Sequence, residues 1–392
     1  MISVAEAKAK ILETVVPRPS VQVTLAEARG RILAEEIRSP FDLPLFTNSA
    51  MDGYAVRGAD HPVLLTLVAT VAAGEILETP LPEGSAVRIF TGAMLPDGAD
   101  AVVKQEEVIQ SDQKIRILRP VSPGENVRYR GEELKQGDLL LAKGGRLSSG
   151  AIGLLATVGL HEVPVHLPPK VGLLVTGSEI VTDPKNLAPG KILDSNSFAL
   201  AAALQELGLV PSFIRRCRDE KGSLLRSVQE GLETVDFLMV TGGVSVGDFD
   251  FVREVAQEIG VQEIFWKVKQ KPGKPIFFGK GGTKFLFGLP GNPVSTLVCY
   301  YEYVRPALLA TMGASDHFLP ALRMPLAESF RKKPGLMHFL RGKFSASRVE
   351  ILPHQSSHMM TSFAQANCLI IVPEHGEEVK EGDEVEIHLL PQ

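Results

Sequence analysis

With 392 residues and a formal charge of −5, the chain exceeds one hydrophobic core, since single cores stop growing near roughly 250–300 residues. Its acidic and basic residues interleave, which excludes a nucleic-acid tail and a membrane-binding face. Cys217, Cys299 and Cys368 lie far apart with no metal or redox spacing, which suits a reducing compartment; no apolar run approaches the ~20 residues of a membrane span. The opening residues lead into an amphipathic helix rather than a signal sequence, so a cytoplasmic protein is expected.

Ser3 and Glu6 form a capping box for a first helix carrying Val4, Ala7, Ile11 and Leu12, closed off by Pro17 and Pro19. Thr24 and Glu27 repeat the device, with Val21-Gln22-Val23 before it and Ile32-Leu33-Ala34 after it as short strand candidates. From Phe41 to Ala59, aromatic, small and polar residues mix without a sustained period, and the stretch reads as a loop. Within it Asp52-Gly53 is a turn or, alternatively, a displayed carboxylate. Residues 62–108 carry short apolar runs with Gly/Pro punctuation, as in a β-rich module. Thr91 to Asp100 reads as a long hairpin connection, and NVRYRGEE, residues 126–133, as a basic stretch closing on Glu132 and Glu133. Leu139-Leu140-Leu141 is another strand candidate, Ser149 caps a helix over 150–158, and residues 38–137 become an inserted β module.

Beyond Pro164 and Pro168-Pro169 the pattern alternates: strand 171–175, loop Thr176-Gly177-Ser178-Glu179, helix 197–207, strand 210–216, helix 223–232. A buried strand at Phe237-Leu238-Met239-Val240 then runs into TGGVSVGD, whose glycines allow positive φ and close backbone approach. Asp248 is an N-cap for a helix carrying Phe251, Val252, Val255 and Ile259, and Asp250 places a carboxylate in its first turn. Unpaired N–H groups at such a helix start suit an oxyanion, although a glycine loop without a Walker lysine is weak evidence by itself. This succession implies a doubly wound, mostly parallel sheet whose ligands lie outside the carboxyl ends of the strands, where both glycine loops fall.

The strand expected over 264–270 alternates Ile264, Trp266 and Val268 with Phe265, Lys267 and Lys269. It ends in KPGKP, a stiff loop holding Lys271 and Lys274 that suits an oxyanion better than a merely solvated face. FLFGLPGNP is a buried strand entering a tight loop, with Asn292 as N-cap and Pro293 at the first helical position; a long apolar helix follows, kinked at Pro306. After Gly313 short runs separated by turn residues indicate a small β-barrel or sandwich. Its polar stretch PHQSSH, residues 353–358, reads as a hydrogen-bonding loop rather than a catalytic triad.

NSAMDGYAV, FTGAMLPDGADAVV, RGEEL, TGSEI, DSNS, TGGVSVGDFDF, KPGKP, GLPGNPVS and HQSSH, in this order, resemble the molybdopterin molybdenumtransferase family, molybdenum-insertion enzymes related to the gephyrin E domain. The resemblance covers nearly the whole chain. It implies a cytoplasmic homodimer of multidomain α/β subunits. Residues 1–18 plus 169–317 would form the domain like molybdopterin adenylyltransferase, 19–37 plus 138–168 a small mixed linking domain, 38–137 the inserted β-rich domain and 318–392 a C-terminal β-barrel.

The implied reaction takes adenylylated molybdopterin and molybdate and yields molybdenum cofactor plus AMP in a Mg²⁺-dependent step. Molybdate is a dianion approaching an anionic pterin phosphate, so lysines and oriented N–H groups suit it. By motif match Ser245, Lys271, Lys274, Pro275, Arg341 and Ser357 form the molybdate and phosphate pocket, with Thr91, Lys267, Pro290 and Pro293 completing the substrate-binding set. Asp52, Glu133, Glu179, Asp219 and Asp250 are the carboxylates among which Mg²⁺ would lie, and Asp52, Glu179, Asp250, Lys271 and Lys274 the catalytic set. The chain departs from the family pattern at Thr47, often acidic, and at Glu133, commonly aspartate. Implied partners are molybdopterin adenylyltransferase and molybdoenzyme maturation proteins, with no nucleic acid and no membrane. The alternatives are adenylyl transfer to molybdopterin and a non-catalytic dimeric scaffold.

Overall fold

The computed structural model describes residues 1–59, 64–243 and 251–391. The chain folds into two compact bodies, one of Met1–Glu35, Lys143–Ser149 and Glu162–Gln392, the other of Glu36–Ala142 and Gly150–His161.

In the larger body the strands run, in chain order, β1 (Val171–Thr176), β2 (Phe213–Cys217), β3 (Phe237–Thr241), β4 (Gln262–Trp266), the short β5 (Gln270–Lys271), β6 (Phe277–Gly281) and β7 (Lys284–Leu289). All but β5 form one sheet in the order β2-β1-β3-β7-β6-β4, parallel through β7 and antiparallel at β6 and β4. The helices are α1 (Val4–Thr14), α2 (Asn196–Gln205), α3 (Lys221–Thr234), α4 (Phe251–Glu258), α5 (Pro293–Cys299) and α6 (Arg305–Thr311). α1, α2, α5 and α6 bury Ile11, Leu200, Leu297 and Leu308 in one core, while α3 and α4 bury Leu224, Val228, Val252 and Val255 in a second. Covered on both faces, β1 and β3 are buried at every residue, which is why they read as unbroken apolar runs.

Local chemistry fixes the element ends. Ser3 N donates to Glu6 Oε2 at 2.7 Å and Glu6 N to Ser3 Oγ at 3.1 Å, the reciprocal pair that starts α1. The Thr24–Glu27 box also forms, over the single turn Leu25–Ala28. The strand expected from 210 begins only at Phe213: Val210 is exposed, and Pro211 has no N–H for the ladder. Ile32 and Leu33 make isolated bridges to Arg146 and Val165 instead of a strand.

Two further expectations are corrected. The alternation over 264–270 breaks at Lys267, whose φ of 63° ends β4 at Trp266 and sends the chain into a different sheet. The long apolar helix is not simply kinked: a π turn, Tyr300–Val304, separates α5 from α6. Pro306, in the first turn of α6, withholds the N–H that the Glu302 carbonyl would otherwise receive.

The C-terminal strands β8 (Ala321–Pro325), β9 (Met337–Phe344), β10 (Cys368–Val372) and β11 (Glu384–Leu389) pair antiparallel in the order β9-β10-β11-β8. β5 joins this sheet parallel to β9, and α7 (Met360–Gln365) leads into β10.

The smaller body holds a sheet in the order Ala101–Lys104, Gly53–Val56, Ser85–Ile89, Leu64–Val71, Lys114–Ile117, Val108–Ser111. The stretch read as a loop over 41–59 contains two strands of this body, Asn48–Ser49 and Gly53–Val56, both buried throughout. Burial on both faces removes the alternation by which a strand is recognised. Gly53 starts a strand rather than closing a turn: a Cβ there would sit 1.9 Å from the Val103 carbonyl oxygen. Among the described residues no helix is long and apolar enough to cross a membrane.

Candidate active site

Four buried side-chain oxygens collect at the carboxyl edge of the parallel sheet. Thr176 ends β1 and Thr241 ends β3, in adjacent register, and Asp219 follows β2 by two residues. Asn196 opens α2 and donates from Nδ2 to the Gly291 carbonyl at 2.8 Å. Thr176 Oγ1, Thr241 Oγ1, Asp219 Oδ1 and Asn196 Oδ1 are buried with no hydrogen-bond partner among the described residues. Buried polar atoms are rarely left so, and several at one sheet edge mark a place that binds polar groups.

The backbone around them leaves no room for a side chain at Gly242, and at Gly243 it is the positive φ that disfavours one. A Cβ on Gly242 would lie 2.7 Å from Thr176 Oγ1, and one on Gly243 would lie 3.8 Å from Asp219 Oδ1. Both glycines have positive φ, 87° and 64°. Glu179 is exposed on the loop after β1; a Cβ on Gly177 would lie 2.9 Å from each of its carboxylate oxygens. Burial raises the Asp219 pKa above the ordinary aspartate value, and the neighbouring Glu179 charge raises it further. Both causes favour a proton on Asp219, and a bound cation would relieve the same repulsion. Among the described residues no group of three His, Cys, Asp or Glu side chains could hold a metal. Ser245, Asp248 and Asp250 lie outside the described residues.

A second feature is cationic. The KPGKP turn leaves β5 with Lys271 and Lys274 exposed, and neither makes an ion pair among the described residues. Its backbone is pinned: Lys274 O accepts from Val268 N at 3.0 Å, and Gly273, with φ 87°, lies against Cys299 and Ser295 of α5. Burial, then the Lys271 charge, pushes the His338 imidazole down to about 4. Lys267 lies with Nζ 3.6 Å from the Trp266 ring centroid, a cation–π contact. Pro275 is half-buried beside the turn.

The GLPGNP loop brings these features toward α5. Gly242 N donates to Leu289 O at 3.1 Å, and buried Pro290 offers its carbonyl to Thr296 Oγ1 at 2.5 Å. Pro293 opens α5, as its fixed φ favours, but Asn292 does not cap it with its side chain. The Asn292 amide instead donates to Ser357 Oγ at 2.9 Å, and Val294 N donates to Ser357 O at 3.1 Å. Arg341 holds the Ser357 loop. It is 1% exposed, and its guanidinium donates to His354 O, Ser356 O and Ser362 Oγ, so it shapes the loop that presents Ser357. Burial alone lowers its pKa to about 10.

In the smaller body Asp52 and Thr91 are brought together. The Asp52 carboxylate accepts from Thr91 N and Thr91 Oγ1, each at 2.8 Å, and these bonds hold its pKa below the ordinary value. Glu133 is exposed, with its backbone N–H on Leu43 O at 3.0 Å.

Sequence reasoning misses Thr176, Thr241 and Asn196 as site residues, although the TGSE, TGGVSVGD and DSNS blocks contain them. A threonine ending an apolar strand reads as a turn residue until the neighbouring strands show what it faces.

Comparison with known proteins places these features in one family. Residues 2–159 match the MoeA N-terminal region (domain I and II), 172–310 a probable molybdopterin binding domain, and 323–390 the MoeA C-terminal region (domain IV). A Haemophilus influenzae protein named molybdopterin molybdenumtransferase is 37% identical over 413 residues, spanning 100% of both chains. A Staphylococcus aureus protein of the same name is 34% identical, over 99% of this chain and 95% of its own. The crystal structure of the molybdopterin biosynthesis moeA protein from Pyrococcus horikoshii OT3 superposes with a TM-score of 0.88 at 29% identity, covering 100% of each chain. With the three regions matched in order along the chain, and relatives similar over their whole length, this chain belongs to the molybdopterin molybdenumtransferase (MoeA) family of transferases.

Proposed function

We propose that the chain transfers molybdenum from molybdate to adenylylated molybdopterin, releasing AMP in a Mg²⁺-dependent step and giving molybdenum cofactor. The observation that carries this reading is the buried oxygen of Asp219, without a hydrogen-bond partner among the described residues, beside the charge of Glu179. Carboxylate oxygens of this kind are the donors Mg²⁺ takes, usually one or two at a time alongside substrate phosphates, so the residues present fit the ion. Glu179 and Asp219 would hold it in the larger body, with Asp250, which lies outside the described residues; Asp52 and Glu133, in the smaller body, are proposed as Mg²⁺-binding carboxylates of that body. When bound, the ion neutralises charge on the phosphoanhydride.

The protein's own groups do the rest. Lys271 and Lys274, free of ion pairs among the described residues, offset the charge of the molybdate dianion, at up to twice the strength of neutral hydrogen bonds. The Ser357 hydroxyl, the Lys267 ammonium and the Ser245 region supply further polar groups, Pro275, Pro290 and Pro293 stiffen the loops, and Arg341 fixes the Ser357 loop from beneath. Thr91 keeps Asp52 ionised and pointed. The four-domain division given above, a cytoplasmic homodimer, delivery of substrate from molybdopterin adenylyltransferase and passage of product to maturation proteins belong to the same proposal. Purified protein given adenylylated molybdopterin, Mg²⁺ and molybdate is expected to release AMP. Turnover only with ATP and free molybdopterin would instead mean adenylyl transfer, and no turnover under either condition a scaffold.

A further inference from the structure

Beneath the KPGKP turn lies a buried polar network that no motif announces. Gln270 is 0% exposed, and its amide Nε2 donates to the Pro272 carbonyl at 3.0 Å. Its Oε1 accepts the hydroxyl of Tyr303, itself fully buried in the π turn. Cys299, at the end of α5, donates from Sγ to the Gly273 carbonyl at 3.4 Å, and burial holds its thiol protonated for that role. The two central carbonyls of the turn are therefore each gripped by a side chain. The turn also lies flat on them: a Cβ at Gly273 would be 2.6 Å from Cys299 Sγ and 2.8 Å from Gln270 Nε2. Cys299 and Tyr303, four residues apart across the π turn, reach the same glutamine from one helical face.

A buried amide with both ends bonded rigidifies and orients what it holds, whereas an apolar residue would fill the same space without fixing the turn. We infer that Gln270 is a positioning residue for the oxyanion subsite, setting through Pro272 the placement of the Lys271 and Lys274 ammonium groups, with Tyr303 fixing the amide and Cys299 the second carbonyl. This rests on the reading of the turn as the molybdate-binding element. Gln270 touches no substrate in this scheme. Its effect on molybdate is carried by the two lysines.

The test separates positioning from packing. Gln270→Met leaves Pro272 O without its donor and Tyr303 without its acceptor; adding Tyr303→Phe removes the stranded hydroxyl and, with both partners apolar, should return most of the lost thermal stability. In the double variant the KM for molybdate is expected to stay raised about tenfold or more while kcat changes far less, because the lysines are misplaced rather than removed. Amine-reactive labelling of Lys271 and Lys274 should change relative to the wild type, with other lysines unaffected. Recovery of KM together with stability, or labelling identical to the wild type, would overturn the positioning role. Altered labelling with an unchanged KM for molybdate would instead contradict the oxyanion reading of the turn, leaving the hold of Gln270 on it intact.

Discussion

Two influences push Asp219 the same way. Its burial and the Glu179 charge both disfavour the ionised form, so the folded chain binds a proton there more tightly than the unfolded chain does. A carboxyl pKa raised on folding contributes stability that is complete below the unfolded value and is lost as pH rises through the folded one. Asp219→Asn should therefore be more thermostable than the wild type at neutral pH, with the advantage shrinking on acidification. Mg²⁺ should raise the melting temperature of the wild type and not of the variant, by the linkage that stabilises any state binding a ligand. An Asp219→Asn variant no more stable than the wild type at neutral pH, or still responsive to Mg²⁺, would remove Asp219 from the proposed site. Glu179 was legible because TGSE ends a recognisable strand. Asp219 had only a weak local signal, and its buried oxygen, without a partner among the described residues, appears only once three strand ends stand side by side. Arg341 adds what its type did not suggest, since it is buried and holds the loop that presents Ser357.

At the scale of elements, the helix, π turn and helix that follow GLPGNP carry a second buried network. Glu302, 2% exposed in the π turn, accepts Lys8 Nζ of α1 at 2.6 Å and lies 2.8 Å from His388 Nδ1 of β11, whose Nε2 is 3.1 Å from Glu386. Burial pulls the His388 imidazole down and the positive Lys8 opposes its charge, but the hydrogen bond and charge of Glu302, with Glu386, outweigh both, so its pKa is raised. That stabilisation is complete below the unfolded histidine value and fades as pH climbs through the folded one. Between about pH 6 and about pH 9 the wild type should thus lose several degrees more melting temperature than His388→Gln. Equal slopes would show that the imidazolium does not tie the last strand to the π turn. In the smaller body Gly53→Ala must push a Cβ into the Val103 carbonyl, and chemical denaturation should show a loss of about 3 kcal/mol or more. The strand it interrupts was illegible because both faces are buried. The π turn was hidden for a related reason, since an all-apolar segment gives no period from which to read a change of helical pitch.

For the molecule as a whole, the sheet-and-helix alternation was legible from strand 171–175 onward because glycine loops and capping residues punctuate it. The N-terminal capping boxes formed where their sequences placed them. What stayed hidden are contacts between residues far apart in the chain, Gln270 with Tyr303 and Lys8 with Glu302 and His388, since local sequence carries no record of the partner. A carboxylate pair and a cationic turn of one chain are proposed to carry out molybdate insertion together. Its most direct test is AMP release from adenylylated molybdopterin by the wild type and by Glu179→Gln, each with and without Mg²⁺ and molybdate. Release should need both ions in the wild type and fall about a hundredfold or more in the variant with its fold retained. Equal release by the two proteins, or release indifferent to Mg²⁺, would contradict it.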